Sequence, residues 1–134
     1  MAEKYSCAEY VTKHTVNYSD TSPLTLCTVK DGCSIREVVI EVTTTWNDGS
    51  KAFEVGDEDD SDGFIEDIGS DLESTGYKVL EHDDWGDYIW DAVNKHRRNK
   101  QYSGAKNITA TFVGQGNGDN QGVCVVYLIH RTLK

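Results

Sequence analysis

Between Ser34 and Thr45 apolar and polar positions alternate, with Val38, Ile40 and Val42 on one side and Glu37, Val39, Glu41 and Thr43 on the other. A period of two is that of a strand with one dry face. The run stops at Trp46, where Asn47-Asp48-Gly49 is turn chemistry. Alternation resumes over Lys51 to Gly56, with Phe53 and Val55 inward. These two segments are predicted to form an antiparallel hairpin. Upstream, Tyr10 to Tyr18 is rich in β-branched and aromatic residues, with His14, Val16 and Tyr18 on one face. Leu24 to Val29 makes a short strand between the turns at Ser19 to Pro23 and Lys30 to Gly32. Near the far end, Asn107 to Val113 places Ile108, Ala110 and Phe112 together, and Val123 to His130 is almost continuously apolar. Such a run suits the middle of a sheet. With the polar, glycine-rich Gly114 to Gly122 between them, these two strands are predicted to form a second hairpin.

The centre of the chain has another rhythm. After the charged run Asp57 to Asp62, the residues Phe64, Ile65 and Ile68 suggest one helical turn, and Tyr77 to Leu80 a further strand. Trp85, Tyr88, Ile89, Ala92 and Val93 recur at helix spacing, so a short amphipathic helix is predicted over Asp83 to His96, with Asp83 or Asp84 as its N-cap. Many short strands with frequent turns predict an all-β protein, a single-domain β-sandwich or jelly-roll-like fold. The short helix is inserted between the central and C-terminal strands. Residues 1–9 lack a core-forming pattern and are read as an N-terminal arm, residues 10–134 as the sandwich, and about 81–106 as an insertion within it.

At 134 residues the chain fits one domain. It is 37% hydrophobic and 27% charged, a globular but polar composition. Thirteen Lys and Arg against 23 Asp and Glu give a formal charge of −10. That balance disfavours nucleic acid and anionic membranes, whose binding rests on displacing counterions with Lys and Arg. No apolar run approaches the about 18 residues of a membrane span. Met1 to Ser6 has no apolar signal-peptide core, so a cytosol-like site of synthesis is expected. Cys7, Cys27, Cys33 and Cys124 form no C-x-x-C pair and are expected to be free thiols. Acid is concentrated from Glu54 to Asp91, while Arg97, Arg98, Lys100 and Lys106 form a basic strip. The two are either solvated faces or surfaces that meet, within one molecule or between copies.

Candidate chemistry mostly fails on register or context. Asp57, Asp59, Asp60 and Asp62 crowd hard oxygen ligands of the kind calcium takes. An EF-hand counted from Glu58 puts Gly69 at position twelve, where a bidentate Glu is required. A solvated acidic loop is the plainer reading, with a non-EF calcium loop as its rival, and no cofactor is expected. There is no G-x-S-x-G elbow, and His14, His82, His96 and His130 read as isolated from one another. Gly114 to Gly118 mimics a dinucleotide loop but joins two strands rather than opening a helix. No catalytic residue and no small-molecule substrate is expected. Trp46, Trp85 and Trp90 could stack on the apolar faces of sugars if exposed; as core residues they would not.

The order of these pieces resembles small virion structural proteins of tailed bacteriophages. The resemblance runs from Thr15-Val-Asn-Tyr-Ser-Asp20 through Leu24 to Val29 and Ile35-Arg-Glu-Val-Val-Ile-Glu-Val-Thr43, to the aromatic and turn at Trp46 to Gly49. It continues with Phe53-Glu-Val-Gly-Asp57, Asp62-Gly-Phe-Ile65 and Gly76-Tyr77, and closes with Ile108 to Phe112 and Val123 to His130. It covers about residues 10–132 and departs between Leu80 and Lys106. Within that group the chain is most similar to head decoration (cement) proteins. The resemblance implies a β-sandwich, often trimeric, bound to the major capsid protein on a shell assembled in the host cytoplasm. It supplies no catalytic residues. Aromatic residues and Arg are the usual interface anchors, so partner contacts are expected at Trp85, Tyr88, Trp90, Arg97 and Arg98, and at the arm Met1 to Glu9. A tail or neck adaptor, a fibre-base component and a carbohydrate-binding sandwich are the alternatives.

Overall fold

The computed structural model describes residues 7–47, 52–113 and 120–133. Its strands are β1 (Cys7–Asn17), β2 (Leu24–Val29), β3 (Cys33–Thr44), β4 (Ala52–Asp57), β5 (Gly76–Tyr77), β6 (Trp90–Asp91), β7 (His96–Arg97), β8 (Lys106–Val113) and β9 (Val123–Leu133). They form a four-stranded sheet of order β1-β9-β3-β5, a three-stranded sheet β2-β8-β4 and the small pair β6-β7. The described pairings are antiparallel. The two larger sheets enclose one core, so the fold is an all-β sandwich.

Alternation places side chains as the sequence pattern requires. Val38, Ile40 and Val42 from β3, Phe53 and Val55 from β4, and Ile108, Ala110 and Phe112 from β8 are all buried in that core. Strand β9 lies between β1 and β3, which explains its nearly unbroken apolar run. Its Cys124, Val126 and Leu128 face inward, and Val125 on the other side is also covered. Cys27, Cys33 and Cys124 are free thiols. Burial pushes Cys124 up to about 12 and Cys27 up to about 11.

Both predicted hairpins are overturned. Strand β3 pairs with β9 and β5, whereas β4 pairs with β8 in the opposite sheet. Likewise β8 pairs with β2 and β4, and β9 with β1 and β3. In both places the chain passes from one sheet to the other. Trp46, just after β3, fills a corner between the sheets: it is 1% exposed and meets Phe53 and Phe112 edge-on. Gly122 closes the same corner, since a Cβ there would lie 2.6 Å from the Trp46 ring. The turn residues Asp48 and Gly49 and most of the loop Gly114 to Gly122 lie outside the described residues.

The expected helix over Asp83 to His96 is absent; this stretch is a series of turns ending in β6 and β7. Its cause is Asp91, whose Oδ1 accepts the backbone N–H groups of Val93 and Asn94 and offers them an alternative to helical bonds. The expected apolar face is split: Ile89 is buried in the core and Trp85 and Tyr88 pack against it, but Ala92 is exposed and Val93 is 87% exposed. Nor do Phe64, Ile65 and Ile68 form a helical turn. Ile65 bridges Val55 and Trp85 as an extended residue, and the helical piece among the described residues is a five-residue 3-10 turn, Gly69–Glu73. The strand expected over Tyr77 to Leu80 shrinks to β5, although Lys78 still donates its N–H to Ile40. At the other end, Cys7 to Glu9 belong to β1, and residues 1–6 of the expected arm lie outside the described residues.

Candidate functional site

The segment holding Tyr88 and Tyr102 is fastened to the sandwich at Asp57, the last residue of β4 and only 2% exposed. Its Oδ1 accepts the backbone N–H groups of Asp59 and Asp60, each at 2.9 Å. Tyr88 donates its hydroxyl to the same oxygen at 3.2 Å, and Tyr102 donates to Oδ2 at 2.7 Å. Burial and the adjoining Asp57 carboxylate push both phenols well above their ordinary range. Of the other calcium candidates, Asp59 pairs with Lys106 at 2.9 Å, and Asp60 is raised by its contact with Asp62. Among the described residues no three His, Cys, Asp or Glu side chains converge as a metal-binding group. Asp57 is a structural hub with its oxygens engaged.

This arrangement divides the basic strip. Lys106 answers the acidic loop within the same molecule, and Lys100 sits over the rings of Tyr88 and Tyr102 at 4.8 and 5.5 Å. Arg97 and Arg98 go elsewhere. Strand pairing sets Trp90 opposite Arg97, and the Arg97 guanidinium stacks on Trp85 with 4.6 Å to the ring centroid. Trp85 and Trp90 meet edge-on at 5.9 Å. Arg98 donates to Asp91 Oδ2 at 2.8 Å. Hydrogen bonds from Asn94 and Arg98 hold the Asp91 carboxyl well below the usual carboxylate range.

Of the five sequence-derived contact residues, Trp85, Trp90, Arg97 and Arg98 thus share one surface, whereas Tyr88 is tied to Asp57 and packs edge-on against Phe64. That surface has two concavities. A shallow groove of about 210 Å³ is lined by Trp85 and Trp90 with Glu66, His82, Asp83 and Asp87. A larger one, about 380 Å³, is lined by Arg36, Arg97, Arg98, Arg131 and Asn99. Here Glu9 lies 2.8 Å from Arg36 Nε and 3.0 Å from Arg131 Nη2. Arg97 reaches across to donate to the Arg36 carbonyl at 3.1 Å.

Arg36 and Arg131 were not singled out from sequence. They lie on β3 and β9, nearly a hundred residues apart, and only the pairing of those strands brings them together. A second cluster is hidden in the same way. The Thr12 hydroxyl lies 2.7 Å from Nε2 of both His14 and His130, so two histidines that read as isolated share one partner. His130 is 3% exposed and stacks on Tyr10. Burial lowers both histidines, and His14 lowers His130 further.

No family model matches the chain, and no curated protein matches it. Among solved structures, it is similar to a chain in the acidic stable capsid structure of the Helicobacter pylori bacteriophage KHP30. The two superpose with a TM-score of 0.57 over 98% of this chain and 98% of that one, at 12% identity. They share a fold.

Proposed function

We propose that the chain is a structural protein of a bacteriophage virion, specifically a head decoration protein that binds the major capsid protein. The observation that carries the reading is the end-to-end likeness to a chain of a phage capsid structure. The ordered sequence resemblance supports it independently. Under this reading the protein performs no chemistry. Many copies, as homotrimers, each make a modest interface, and the sum braces the shell. The partner surface is the one carrying Trp85, Trp90, Arg97 and Arg98, because aromatic and Arg anchors on a rigid hairpin lose little freedom on binding. Mass spectrometry of purified particles tests the reading. Hundreds of copies per particle are expected; six or twelve would move the protein to the tail or neck, and absence from particles would end the proposal.

A second reading is a carbohydrate-binding sandwich. Trp46 has no part in it, being wholly buried, but Trp85 and Trp90 line a groove with carboxylates that could accept sugar hydroxyls. Glycan-array binding that disappears in Trp90→Ala would favour it over the virion role.

A further inference from the structure

We infer that the arginine-lined concavity is a binding site for carboxylates presented by an acidic segment of another protein chain. Three separate elements build it: Arg36 from β3, Arg131 from β9, and Arg97, Arg98 and Asn99 from the β6-β7 hairpin and the residues after it. Four guanidinium groups around one hollow are conspicuous in a chain of net charge −10. The placement is not incidental. Strand β3 changes register against β9 between Ile35 and Glu37, so Arg36 is the bulged residue without a ladder partner. Bulges re-aim a side chain out of the regular pleat, and this one also leaves the Arg36 carbonyl for Arg97.

The fixed geometry suits recognition. Arg97 is clamped between the Trp85 ring and the Arg36 carbonyl, and Arg98 is anchored on Asp91 through a charge-assisted bond. Glu9 shows what the wall accepts, since its one carboxylate oxygen approaches both Arg36 and Arg131. Glu9 and Asp91 do not balance four arginines, and Glu37 is more distant at 3.7 Å from Arg36. Among the described residues Arg97 has no carboxylate within ion-pair distance. The remaining positive charge matches one or two carboxylates and is too small for a run of phosphates, which the overall negative charge of the molecule would also repel. Planar guanidinium forks match carboxylates bidentately.

This inference deepens the partner reading above, but its test uses the isolated protein, so the two can fail separately. The probe is a hexaglutamate peptide, titrated into the isotope-labelled full chain and followed by NMR. At about 0.01 M salt, shifts are expected at Arg36, Arg97, Arg98, Asn99 and Arg131, weakening at about 0.15 M as exposed charges are screened. Arg97→Ala and Arg131→Ala should each weaken binding by about five-fold or more, the scale of a lost charge-assisted hydrogen bond at a partly exposed site. Lys106→Ala, which removes one positive charge outside the hollow, should leave binding unchanged. Arg131→Ala lies on the opposite wall from the hairpin, so it reports even if Arg97→Ala loosens the insertion. No shifts at low salt, shifts spread evenly over Lys100 and Lys106, an equal loss in Lys106→Ala, or equal perturbation by a short DNA strand would each overturn the assignment.

Discussion

Tyr102 donates its hydroxyl to the buried Asp57 carboxylate at 2.7 Å across 45 residues of chain. This bond ties the residues that follow β7 to the end of β4, and it makes the position of the arginine hollow depend on the acidic loop. Tyr88 adds a longer bond to the other oxygen.

Tyr102→Phe should therefore destabilise the protein by about 1–3 kcal/mol, the penalty for removing a partner from a buried charged acceptor. Tyr88→Phe should cost less, because its bond is longer and Asp57 Oδ1 keeps two backbone donors. Urea denaturation of the two variants beside the parent measures the order. Equal effects, or none, would contradict the hub role of Asp57.

Calcium should leave the melting temperature unchanged, and so should a chelator. Calcium at a hundred times its dissociation constant would stabilise by about 2.7 kcal/mol. Asp57 and Asp59 already have partners within the molecule. A calcium-dependent rise in a thermal melt would show that the acidic loop can rearrange around an ion.

Stability should fall as pH drops below the ordinary histidine value of 6.5. Burial lowers His14 and His130, so the unfolded chain binds more protons in this window and acid favours it. The stabilisation is fully present above 6.5 and is lost towards the lowered folded values. The Thr12 hydroxyl has one hydrogen, so it can donate to one imidazole and accept from the other, but it cannot satisfy two imidazolium N–H groups and also place its own hydrogen between them. Denaturation midpoints at pH 7.5 and 5.5 should differ, with a smaller difference in His14→Gln. A midpoint independent of pH would refute the coupling.

Gly122→Ala should destabilise by about 1–3 kcal/mol, the usual cost of overpacking, with backbone strain added to it. Its φ is +149°, and the new methyl would press on the Trp46 ring. Gly32→Ala, at φ +81° but with open space around the added carbon, should cost less. Thermal melts of the pair separate the clash from the dihedral term.

Strand positions and core faces were legible because alternation depends only on neighbours along the chain: Val38, Ile40, Phe53 and Ile108 point where their spacing says. Pairing was not. The segment Asn47-Asp48-Gly49 reads as a hairpin turn, but whether two strands lie side by side or face to face depends on what Trp46 packs against, namely Phe53 and Phe112. The helix expected over Asp83 to His96 failed for a similar reason, because Asp91 claims backbone donors that the spacing of Trp85, Tyr88, Ile89, Ala92 and Val93 assigns to a helix. For the site, Arg97 and Arg98 were visible as a basic strip beside tryptophans. Arg36 and Arg131 carried no local signal, and the two histidines flanking Thr12 became a pair only through the register of β1 on β9.

Strand β9 has one more consequence, in the order of events during synthesis. Both β1 and β3 take their long pairings from it, yet it follows them in the chain by about a hundred residues. Neither can complete its ladder on the ribosome until β9 has emerged, so most of the four-stranded sheet forms late and almost at once. Contacts this distant in sequence make folding slow and leave strand edges open while it waits. A nascent chain lacking β9 should stay sensitive to protease throughout, including in β1, the first strand made.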